Sequence, residues 1–211
     1  MAEPLDAVLA IHNAFRLDMT RIDKAALDLA RNKTEQITTV QRYRFLNEIL
    51  LWHAQGEELA IFPAVDTVAP LISEPYERDH RGLDSLFDIL SAAVSKNDII
   101  VTSRTTAALK FHLDIHLEKE DRHLYRIMRE RVPLPEQGKA VGLMSSTVPQ
   151  NRFPEVVAWL YPLLDLNDRE NMTLIWQSVM PGPVFDNVKL LIKKAVGNDW
   201  IDLTQRIPSL T

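Results

Sequence analysis

Cysteine is absent from the 211 residues. That excludes disulfides, iron–sulfur clusters and thiol catalysis, and it suits a reducing compartment, so the expected location is cytoplasmic. Glycine is scarce, at six residues, too few for phosphate-cradling loops or turn-rich β folds. Basic charge is not in excess: 24 Lys and Arg stand against 29 Asp and Glu, for a net charge of -5. No basic stripe is visible, and nucleic acid is not expected as a ligand. No apolar run approaches the roughly 18–20 residues that cross a bilayer, so no membrane association is expected. The start, MAEPLDAVLAIHNAF, is acidic and reads as no signal peptide. The HExxH, GxSxG and phosphate-loop motifs are missing too. What remains, 46% hydrophobic and 25% charged residues, is the balance of an ordinary globular chain.

Helical periodicity dominates that remainder. Leu5, Val8, Leu9, His12, Phe15, Met19, Ile22, Ala26 and Leu29 follow steps of three and four. After a polar connection (RNKTEQIT), a second stripe runs through Val40, Tyr43, Leu46, Leu50, His53, Glu57, Ile61 and Ala64, with Pro63 near its end and Pro70 closing it. Ser73 is placed as an N-cap with Pro75 just inside, ahead of a third stripe, Tyr76, His80, Leu83, Phe87, Leu90 and Val94. A fourth carries Thr105, Leu109, His112, His116, His123 and Ile127 and stops before Pro133. The expected fold is all-α, an up-down-up-down four-helix bundle over residues 1–132. Residues 133–150 read as a linker from their Pro, Gly and Ser content. Residues 151–211 read as an extension of three or four short helices. Such a segment is too small for a core of its own and is expected to cap the bundle, form a homodimer face or meet another partner.

All six histidines, His12, His53, His80, His112, His116 and His123, lie in the bundle, with at least one on each helix. A single buried His is usually a satisfied core residue. Four helices each aiming an imidazole into one core is costly unless something pairs the nitrogens, and a metal does so directly. His53 and Glu57 share a helix face at i, i+4, and His116 and Glu120 repeat that spacing. Mixed nitrogen and oxygen ligation suits iron, with manganese and zinc as competitors. His112, one turn before His116, is expected to face inward as a further ligand or a hydrogen-bonding support. His123 lies three residues after Glu120, an ExxH spacing, but only one helix carries it, so it is placed at the bundle end.

The order H…HxxxE…H…HxxxE, with the strings His53-Ala-Gln-Gly-Glu57-Glu58, Arg-Asp-His80-Arg-Gly and His116-Leu-Glu-Lys-Glu120-Asp, resembles the hemerythrin-like, or HHE cation-binding, domain. The resemblance covers residues 5–131. It implies a non-heme di-iron centre bridged by two carboxylates and an oxo or hydroxo group, with His12, His53, Glu57, His80, His116 and Glu120 as ligands. Two positions depart from the oxygen carriers: Asp84 stands where they have a second His, and Glu120 where they have Asp. The chain therefore looks more like the sensor and redox branch of that family. The function implied is binding of, or reaction with, O2, peroxide or NO. The competing classes are a di-iron oxidase, oxygenase or peroxidase, which would need a pocket beside the metals built with the extension, and an iron-responsive interaction module.

Overall fold

The computed structural model describes residues 2–31 and 40–211; the polar connection expected at 31–38 lies outside the described residues from position 32 on. No strand is present among the described residues, and the chain is an all-α helical bundle. Helix α1 is Pro4–Ala30. Helix α2 runs through residues 43–66 as Tyr43–Gly56, a π turn Glu57–Ile61, and Phe62–Asp66. Helix α3 is Glu74–Ser95. Helix α4 runs through residues 99–131 as Ile99–Lys119, a π turn Glu120–Leu124, and Tyr125–Arg131.

The boundaries follow local chemistry. Pro4 and Pro75 sit in first turns, where a missing N–H costs nothing. Ser73 immediately precedes α3, but its hydroxyl and its N–H go back to Asp66 (2.8 and 3.2 Å) rather than onto the helix. Asp98 caps α4 by accepting from the Val101 N–H. Pro63 does not end α2: the wide turn just before it absorbs the bond that its ring cannot make, and the helix continues to Asp66.

Residues 133–150, read as a linker, contain helix α5, Leu134–Ser145. Pro133 and Pro135 lie at the helix start, where prolines initiate as readily as they terminate. The Gln137 side chain donates to the Val132 carbonyl (2.8 Å), and Ala140 and Met144 are buried against α2 and α4. The extension supplies α6 (Phe153–Leu160), α7 (Leu166–Val179), α8 (Gly182–Val196) and α9 (Trp200–Arg206). These helices share a core with Ala7, Ala10 and Ala14 of α1. A clasp at Asp18, itself buried, accepts from Trp159 Nε1 (2.8 Å) and Arg42 (3.0 Å).

Two apolar clusters fill the bundle. One joins Phe15, Met19, Leu46, Ile49, Leu83, Phe87, Leu113 and Leu117; the other joins Leu5, Val8, Ile61, Phe62, Tyr76, Leu124, Tyr125 and Met128. His12, His53, His80 and His116 each fall, in sequence, between a member of the first and a member of the second. They form a polar layer between two dry ones.

Candidate metal centre

The layer is built from one imidazole per long helix and two carboxylates. His12, His53, Glu57, His80, His116 and Glu120 are all buried, Glu57 and Glu120 completely. Their ligand atoms fall into two groups, each spanning less than 4.8 Å: His12, His53, Glu57 and Glu120, and Glu57, His80, His116 and Glu120. Both carboxylates belong to both groups. His53 Nε2 lies 3.2 Å from Glu57 Oε1, and His80 Nε2 lies 3.3 Å from Glu57 Oε2. His116 Nε2 lies 3.2 Å from Glu120 Oε1, and His12 Nε2 lies 3.7 Å from Glu120 Oε2. The two imidazole nitrogens of His12 and His53 face each other at 2.9 Å.

These atoms fit a cation. Glu57 Oε2, both Glu120 oxygens and His80 Nε2 are buried without a hydrogen-bond partner. Dry carboxylate oxygens of that kind are costly unless positive charge meets them. The outer faces of three imidazoles are already committed. His12 Nδ1 meets Asp121 (2.7 Å), His80 Nδ1 meets Glu58 (2.9 Å) and His116 Nδ1 meets Asp79 (3.4 Å). Each carboxylate fixes the tautomer with the proton outside and leaves the Nε2 lone pair aimed inward, as a metal ligand requires. Arg16 (2.5 Å) and Lys119 in turn hold Asp121 and Asp79.

The electrostatics agree. Burial lowers the pKa of His12, and it drives His116 down to about 4, so both rings are neutral donors. Burial opposes charge on Glu57, but the imidazoles of His53 and His80 outweigh it and hold that carboxyl well below its usual range. Burial and the Glu57 charge push Glu120 well above its own range. Two carboxylates this close cannot both stay ionised without a cation.

Both π turns begin at a shared carboxylate. The N–H of Phe62 bonds the Glu57 carbonyl, and the N–H of Tyr125 bonds the Glu120 carbonyl, each five residues apart. In an uninterrupted α-helix a residue five positions on would lie about 140° round the axis. The wider turn brings it back to the site. Tyr125 thereby donates its hydroxyl to Glu57 Oε1, and Phe62 stacks on His80 at 5.5 Å. Single π turns are frequent at functional sites. Burial, with the Glu57 charge, holds the Tyr125 phenol well above its usual pKa, so it stays a donor.

His112 does not join the layer; it is exposed. The buried stripe of α4 is centred on Leu109, Leu113, His116, Leu117 and Glu120, and His112 sits about 80° round from that centre at 100° per residue. His123 and Asp84 are exposed too. His112→Ala and His123→Ala should therefore leave the metal content of the purified protein unchanged. Loss of metal in either variant, measured by elemental analysis, would make that residue a ligand. Spacing rules do not single out Asp79 and Asp121, and they place Tyr125 on a helix from which it could approach the site, with core packing as the default. Asp79 and Asp121 reach imidazoles on other helices, a pairing that no within-helix spacing encodes. Tyr125 is out of phase until the π turn is known.

No protein-family model matches the chain, and no solved structure matches it. Three curated proteins of Arabidopsis thaliana are similar to it. The zinc finger protein BRUTUS is 24% identical over 186 residues, 85% of this chain and 15% of that protein. Two BRUTUS-like zinc finger proteins are 23% and 21% identical over 208 and 210 residues, 94% and 87% of this chain and 16% and 17% of theirs. The chain thus spans about a sixth of the length of the relatives it matches. The likeness at 94% of this chain runs through the bundle and into the extension.

Proposed function

We propose that the chain holds a two-metal centre, with iron as the resident metal, that binds or reacts with O2, peroxide or NO. The observation that carries this reading is the sharing of Glu57 and Glu120 by two four-residue groups. His12 and His53 would hold one ion, His80 and His116 the other, and the two carboxylates would span both. When bound, a pair of ferrous ions supplies electrons and an open coordination position to a small oxidant or to NO. The protein's own part is to orient and to exclude. Asp121, Glu58 and Asp79 keep three imidazoles in one tautomer, Tyr125 keeps a proton on its hydroxyl toward Glu57, and apolar layers flank the site on either side. A cavity of about 20 Å³ beside the layer is bordered by His53, His80, His116 and Phe87. Its size is near that of a single water, which favours diatomic or peroxide ligands over bulky ones.

The relatives are named as zinc finger proteins, but thiolate zinc ligation needs cysteine and this chain has none. The donor set here, four imidazoles and two carboxylates, is the mixed kind that suits iron. The test is elemental analysis with absorption spectra of protein loaded with ferrous iron without air. Two irons per chain, and near-ultraviolet charge-transfer bands that appear with air and bleach on reduction, are expected. Titration with NO and peroxide then ranks the ligands. One zinc per chain, or no metal in a folded helical protein, would overturn the reading.

A further inference from the structure

A second and much larger cavity, about 470 Å³, lies where α1, α2 and α5 meet the extension. Its size falls within the roughly 300–1,000 Å³ of small-molecule sites. Its walls carry no Asp, Glu, Lys or Arg side chain. Trp52, Trp159 and Trp176 contribute three of the chain's four indoles. The Trp159 N–H is engaged by Asp18, and the Thr147 hydroxyl is engaged by the Trp52 and Met144 carbonyls. Neither has a hydrogen left to donate to a ligand. An anion would find no cation here, and a diatomic would leave most of the volume unfilled. Apolar space of this size, with no atoms opposite its lining, forfeits packing that an occupant would restore. The exposed wall residues Gly142 and Val179 mark an opening to solvent.

His53 is the one titratable side chain in the wall. It also differs from the other three imidazoles of the polar layer. Among the described residues no carboxylate backs its Nδ1, although its Nε2 is turned toward His12 and Glu57. We propose that this cavity binds a neutral, largely hydrocarbon organic molecule, lodged between the bundle and the extension with one end against His53. The bundle alone could not enclose it: Val156, Met172 and Ile175 of α6 and α7 form walls. The inference does not depend on metal, because the walls are made by apolar packing.

The test is titration of the full chain with N-phenyl-1-naphthylamine, a neutral apolar fluorophore, in iron-loaded and chelator-treated protein. Saturable blue-shifted emission is expected, with quenching of tryptophan fluorescence and displacement by 1-decanol. Gly142→Leu puts a branched chain into a wall where a Cβ meets nothing within 4 Å. It also replaces glycine in a helix, so folding is not at risk. Ile175→Lys sets a charge in the opposite wall. Each should weaken binding by about tenfold or more. Absence of saturable emission, or unchanged binding in both variants, would overturn the proposal. A protein that takes up the probe but no iron would sink the metal reading and leave this one standing.

Discussion

If the proposed two-metal centre forms, Glu57→Ala should strip the protein of both ions, not one. Glu57 offers an oxygen to each four-residue group, so its loss leaves both short of a ligand at once. It also leaves the Tyr125 hydroxyl without its acceptor, at about 1–3 kcal/mol. Mutation of a group that only supports a ligand costs about 10–100-fold in metal affinity. Removal of a shared ligand should exceed that for both ions. His12→Ala is the informative contrast. His12 belongs to one group only, so the pair of His80 and His116 with both carboxylates should still hold one ion. Elemental analysis of the three proteins after identical loading separates the outcomes: about two, none and one iron per chain for parent, Glu57→Ala and His12→Ala, since structural ligands act as a set. Two irons retained in Glu57→Ala would remove the bridging assignment. Circular dichroism guards the result, by showing whether the variant keeps its helices when the metal is lost.

The second large effect is at Gly56, the residue just before Glu57. A Cβ there would lie 2.6 Å from Met144 Cγ and 2.8 Å from the Met144 carbonyl oxygen. The side chain of Met144 can turn away, but the backbone oxygen moves only if α5 moves. Gly56→Ala should therefore destabilise the fold by about 1–3 kcal/mol, the usual cost of overpacking. Urea denaturation reads this directly as a lower midpoint at unchanged slope. Gly82→Ala serves as the opposite control. Gly82 is exposed in the middle of α3 and a Cβ there meets nothing within 4 Å. That change should stabilise by roughly 0.5–1 kcal/mol, because alanine loses less freedom in a helix. A Gly56→Ala protein as stable as the parent would mean that α5 is held far more loosely than the packing at Met144 implies.

These two residues also mark what the sequence could and could not disclose. The four long helices are legible because apolar side chains repeat at steps of three and four, and two of them, α1 and α3, also carry a proline in the first turn. The inward turn of His12, His53, His80 and His116 follows from the same stripes, and the i, i+4 spacing carries Glu57 and Glu120 with them. The two π turns leave no such trace. Pro63 gives a local cause for the first, but no proline lies in the second, and both re-aim a ring by inserting one residue into a turn. His112 shows the opposite failure: one helical turn from His116 is close in phase, yet the stripe's edge already faces solvent there. Helix α5 was hidden by composition. Its glycines suggest a flexible stretch, while its packing depends on Gly56, 88 positions away from Met144. Contacts of that kind are tertiary and have no sequence period.

Helix α1 has two buried faces. Leu5, Val8, His12 and Phe15 point into the bundle, while Ala7, Ala10 and Ala14 lie against the extension. A rod gripped on both sides cannot roll or slide to relieve strain on one without transmitting it to the other. Here the rod carries His12 on one face, and its Ala7 and Ile11 line the large cavity. Both places therefore rest against the same helix. If occupancy of either shifts α1, thermodynamic reciprocity requires the influence to run equally in both directions. His53 stands both in the polar layer and in the cavity wall, so the two places are separated by a side chain as well as joined through α1.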